Sequence, residues 1–85
     1  MKTEELDGTT YHYPETAADV TDAMLKLAED VFDDWFADEE RIDWEEFLDR
    51  MATISRHEDV AWEFDEYDNP AVDKIKRHIR EYRNL

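Results

Sequence analysis

The chain is predicted to be mainly α: a small compact helical bundle of three to four helices with an extended N-terminal arm. Three observations predict it. One glycine and two prolines in 85 residues leave little punctuation for short strands and tight turns, which favours long helices. Apolar residues recur at three and four in three separate stretches, the spacing of one-sided helices. Three Trp, four Tyr and four Phe sit in a chain that is 41% apolar, enough to pack one core despite a formal net charge of −15. Disordered acidic tails lack such aromatics.

Residues 1–15 have no helical period and read as an N-terminal arm or edge strand. Within them Thr9-Thr10-Tyr11-His12-Tyr13 has strand propensity and ends at Pro14. Residues 16–85 read as an acidic helical domain. Its first helix begins at Thr16, with Asp19 three residues on as a capping box. Val20, Met24, Leu27, Ala28, Val31 and Trp35 then form the apolar stripe, widened by Leu25, Phe32 and Phe36. A second helix begins at Asp43, whose carboxylate can cap while Glu46 sits three residues on. Trp44, Phe47, Leu48, Met51 and Ile54 are its buried side. Asn69-Pro70 announces the last helix, a cap followed by the residue best tolerated at the first helical position. Val72, Ile75, Ile79 and Tyr82 turn inward there, and Lys74, Lys76, Arg77, Arg80 and Arg83 fill the outer face. Between the last two helices, residues 58–67 read as a short helix, Glu58 and Asp59 suiting a first turn. The alternative is a strand over 60–64 pairing with 9–13.

Composition removes several classes of function. Without cysteine there are no disulfides, zinc-thiolate sites or thiol nucleophiles. No signal peptide or membrane span fits the sequence, so the expected location is the cytoplasm, that of a host cell if the chain is phage-encoded. DNA, RNA and anionic lipid are polyanions and would repel this chain. If charge directs association, the partner is basic.

An enzyme is not expected, and no cofactor is implied. Ser55 is the only serine and has no flanking glycines for a nucleophile elbow or phosphate loop. The many carboxylates fall on wetted helix faces, whereas acid-base chemistry needs one desolvated in a cleft. His12, His57 and His78 are too scattered to assemble four metal ligands by spacing. Aligning residues 35–46 with a calcium loop puts Trp35 and Ala37 at ligand positions and Glu40 where glycine is required, so the match fails. No metal is predicted.

What the sequence does offer is an anionic surface. Asp19, Asp22, Glu29, Asp30, Asp33 and Asp34 share the outer half of the first helix, which would rise roughly 22 Å between the outermost two. That is one carboxylate per approximately 4 Å, near the roughly 3.4 Å per phosphate of one DNA strand. Asp38, Glu39, Glu40, Asp43, Glu45, Glu46 and Asp49 extend the surface, and Glu58, Asp59, Glu63, Asp65, Glu66 and Asp68 form a second patch. Tyr11, Tyr13, Trp62 and Tyr67, with no assured place inside, are candidate aromatic anchors of an interface. They would also suit a homodimer. Residues 1–73 carry 24 acids and 5 bases, formally −19, and residues 74–85 return +4.

This is the physical logic of DNA-mimic proteins, the small acidic inhibitors that phages and mobile elements deploy against restriction, CRISPR or other nucleic-acid-binding machinery. The resemblance is one of size, charge and helical presentation. It implies a partner whose basic groove normally holds nucleic acid. The alternatives are an immunity or antitoxin protein neutralising a nuclease, a halophile-adapted acidic domain, and an acidic interaction module of another kind.

Overall fold

Asp7 and Gly8 both take positive φ, 52° and 83°, the pair of left-handed residues that a two-residue hairpin turn needs. They fold Lys2–Leu6 (β1) back on Thr9–Tyr13 (β2) in an antiparallel pair with Leu6 opposite Thr9 and Lys2 opposite Tyr13. The N-terminal arm is therefore a hairpin, and the main partner of residues 9–13 is the strand before it, not residues 60–64. Among the described residues a single parallel bridge, His12 to Trp62, joins β2 to that later segment. In it the His12 N–H donates to Ala61 O at 2.9 Å and the Glu63 N–H donates to His12 O at 2.8 Å. The computed structural model describes residues 1–84.

The first helix starts later than the capping box suggests. Asp19 accepts from the backbone N–H groups of Glu15 and Thr16 at 3.0 and 3.1 Å, but the turn it closes is a 3-10 turn, Ala17–Asp19. Val20 is extended. A second cap, Thr21, accepts from the Met24 N–H at 3.3 Å and starts Asp22–Val31 (α1). Past Val31 the helix widens into a π turn, Phe32–Phe36. In a π turn the residue five along, rather than four, comes round to the same side. Phe36 therefore takes the buried place under Val31 that an unbroken α-helix would give to Trp35. Phe36 is buried and Trp35, expected in the core, is 53% exposed.

Trp44–His57 (α2) and Pro70–Tyr82 (α3) begin where the sequence predicts. Asp43 accepts from the Glu46 N–H at 3.3 Å, and Asn69 accepts from the Val72 N–H at 2.8 Å with Pro70 at the first position. Asn69 also donates to Pro14 O at 3.1 Å, tying the start of α3 to the end of the hairpin segment.

Residues 58–67 are not helical, so among the described residues there are three helices, not four. α2 ends in a left-handed cap: Asp59 has φ 62°, the Val60 N–H donates to Ser55 O at 3.0 Å and the Asp59 N–H to Arg56 O at 3.2 Å, the paired bonds of a Schellman ending. The chain then doubles back through Ala61, also at positive φ (42°). Ser55 holds it there. Its buried hydroxyl accepts from the Trp62 N–H at 2.9 Å and lies 2.8 Å from Ala52 O and 3.2 Å from Trp62 O.

α1 packs against both α2 and α3. Met24, Ala28, Val31, Phe47, Leu48, Met51, Val72, Ile75 and Ile79 are at most 1% exposed and make the centre of the core, with Trp62, Trp44 and Tyr82 packed at its margin. Two α3 lysines predicted on the outer face turn back to cap carbonyls: Lys74 Nζ donates to Ala17 O and Val20 O at 3.2 and 3.3 Å, and Lys76 Nζ to Tyr67 O at 2.9 Å. No helix among the described residues is long and apolar enough to cross a membrane.

Candidate anionic interaction surface

All 25 acids except Asp19, Glu29 and Glu63 are exposed. The evenly spaced row of six on one helix is not what the fold builds, however. Asp19 sits before the break at Val20, on its own turn, where the two backbone bonds and then the N-terminal ammonium at 3.6 Å hold its carboxyl below the usual range. Stability from that depressed carboxyl is present above its ordinary pKa and is lost as pH falls through the lowered one. Glu29 meets His78 Nε2 at 2.7 Å, and Asp33 Oδ2 accepts from the Tyr82 hydroxyl at 2.7 Å. Three of the six carboxylates thus bind this protein's own groups, leaving Asp22, Asp30 and Asp34 outward with no hydrogen bond or ion pair among the described residues.

The hydrogen bond that Tyr82 donates to Asp33, followed by burial and the neighbouring charges of Asp33, Glu29 and Asp30, pushes the Tyr82 phenol up to about 12. A raised pKa of this kind contributes stability that is complete below the ordinary value of 10.0 and disappears as pH climbs toward about 12. Melting temperature followed across that range should therefore fall less steeply in Tyr82→Phe than in the parent protein.

The densest acids run from the end of α1 to the first half of α2. Asp30, Asp33, Asp34 and Asp38 crowd the C-terminal end of α1 and its π turn, which carry no base in the last turn. That end of a helix is its negative pole, and each carboxylate there is unfavourable by about 0.3–1 kcal/mol. Glu39 and Glu40 follow in the exposed turn, where the Arg83 guanidinium donates to the Glu39 carbonyl at 2.8 Å. At the start of α2 the signs agree: Asp43, Glu45 and Glu46 lie at its positive pole.

The outward strip of α2 lies between two exposed aromatics. Helical phase puts Glu45 on one edge, Glu46, Arg50 and Thr53 toward the other, and Asp49 between them. Tyr67, 36% exposed, borders the first edge, its phenol raised by burial and then by the charges of Asp49 and Glu45. Trp35 borders the second, in a cleft of about 430 Å³ shared with Glu46, Asp49, Arg50, Thr53 and Ile54. The Arg50 guanidinium lies over its indole, 4.0 Å from the ring centre, and reaches Glu46 only loosely, at 3.9 Å.

The second patch adjoins this strip through Tyr67. Glu58, Asp59, Asp65, Glu66 and Asp68 are exposed. Glu63 is half-buried and paired with Arg56 at 3.0 Å, and Asp65 touches Lys2 at 4.0 Å. Of the predicted aromatic anchors, Tyr11 and Tyr13 are half-buried on β2 and Trp62 packs against the core. Burial and then Glu4, Glu63 and Asp65 raise the Tyr13 phenol. Sequence pattern alone does not mark Trp35 or Arg50 as surface groups, since Trp35 falls on the apolar stripe unless the π turn is known.

Among the described residues no three His, Asp or Glu side chains are grouped to hold a metal ion. No protein-family model, curated protein or solved structure matches the chain.

Proposed function

We propose that this protein is a non-catalytic, DNA-mimic-type inhibitor that binds the basic nucleic-acid-binding groove of another protein in the cytoplasm, that of a host cell if phage-encoded. The observation that carries the reading is the placement of Asp30, Asp34 and Asp38 at the negative pole of α1. Local folding physics favours lysine or arginine there. Residues that break a local stability rule without a compensating internal contact mark sites of function, and these three have no internal partner among the described residues. With Glu45, Glu46 and Asp49 they form a fixed anionic tract that a groove of lysines and arginines would attract and orient.

The test sets binding against stability in one molecule. The triple variant Asp30→Asn, Asp34→Asn, Asp38→Asn should melt higher than the parent, because three carboxylates leave the wrong end of a helix dipole. It should also lose about tenfold in competing with DNA for the nucleic-acid-binding partner, since exposed ion pairs contribute about 0.2–1 kcal/mol each. Unchanged competition would remove these carboxylates from the interface. Melts at low and at molar salt address the halophile alternative, which requires molar salt for folding.

A further inference from the structure

Trp35 is the largest side chain that the fold turns outward, and its surroundings select what can bind it. The cleft offers an aromatic face, an aliphatic wall from Ile54 and the methylenes of Arg50, and two carboxylates, Glu46 and Asp49. Asp49 has no side-chain partner among the described residues. An anionic ligand would meet those carboxylates, and a purely apolar one would strand them without water. A cation suits both components of the site. Between the two cationic side chains, the planar guanidinium stacks on indole and accepts a carboxylate in its plane, whereas an ammonium is a strongly hydrated point charge. The protein already displays the geometry: its own Arg50 guanidinium stacks 4.0 Å over Trp35. That arginine covers one face of the ring, and the residue is still 53% exposed.

We infer that the Trp35 cleft is an arginine-recognition site, in which an arginine of the cationic partner protein stacks on the uncovered part of the indole and pairs with Asp49. This rests on the reading of the surface as one that takes a basic protein, and adds that the partner is gripped through arginine and not through positive charge in general. In a nucleic-acid-binding groove arginines are abundant because their planar forks match phosphates. Charge alone would draw the acidic tract to any basic surface; a stacked arginine supplies register.

Deca-arginine and deca-lysine peptides, titrated into the full chain at moderate salt, separate the two levels of the claim. The parent protein should prefer deca-arginine by about fivefold, the scale of one partly exposed cation–π contact. Trp35→Ala and Trp35→Leu should bring that preference below about twofold while leaving the deca-lysine affinity unchanged. Leucine keeps apolar bulk at the π turn, and melting curves of both variants confirm folding. A preference that survives in both variants, or that the parent lacks, overturns the arginine site while the basic-partner reading stands. Failure of the parent to bind either peptide overturns both.

Discussion

Phe47→Ala is expected to lower stability by about 3–5 kcal/mol, the cost of truncating a buried phenylalanine to alanine. At about 0.05–0.15 kcal/mol per residue a domain of 85 residues is held by about 4–13 kcal/mol, so the loss is a large share of the whole. Phe47 is 0% exposed and stands between two aromatic neighbours, 5.2 Å from the Phe36 ring at 51° and 5.2 Å from the Trp44 ring at 63°. Its removal leaves a cavity where the π turn meets α2, and Phe36 loses the contact that keeps it, in place of Trp35, inside. Urea denaturation should show a greatly lowered midpoint with a similar slope. Trp35 fluorescence should change as well, because the stack with Arg50 depends on the same turn.

Ser55→Ala should cost about 1–3 kcal/mol although it deletes one oxygen. The hydroxyl is the acceptor of the Trp62 N–H and lies within bonding distance of the Ala52 and Trp62 carbonyls. An unsatisfied buried polar group costs about 1–3 kcal/mol, and the segment held by this contact has further strain in Ala61 at φ 42°. The loss should spread along the chain in a defined way. Trp62 forms the bridge to His12, so the His12 and Glu63 amides should exchange hydrogen faster while those in the middle of α3 keep their protection. Uniform loss of protection would place Ser55 in the global core and not at a local latch.

The helices legible in the sequence are those whose signals are local and unrivalled. Asp43 and Asn69-Pro70 each offer one cap before one stripe, and α2 and α3 start there. Thr16 and Thr21 are rival caps five residues apart, and both are used, the first on a 3-10 turn and the second on α1. Nothing local ranks them. Asp7-Gly8 is a strong hairpin signal, but Lys2–Leu6 has no apolar alternation to accompany it, and its side chains are all exposed. The path of residues 58–67 rests on positive φ at Asp59 and Ala61 without glycine, and on a serine hydroxyl from the preceding helix. That is tertiary information. The acidity of the candidate surface was plain from composition, but which carboxylates stay free was not: His78 and Tyr82 take Glu29 and Asp33 across 49 residues of sequence. Trp35 shows the largest difference between pattern and fold, because one widened turn exchanges it with Phe36.

The split of charge between α3 and the rest also has an orientational consequence. Arg80 on α3 and Arg83 just past its end are exposed and line one cleft with Glu40, Arg41 and Trp44, so positive charge abuts the acidic turn and does not sit across the molecule from it. Near a positively charged surface the molecule experiences a torque before any atom touches, one that turns these arginines away and brings forward the carboxylates farther from them. Random collisions are thereby converted into a narrow range of approach angles.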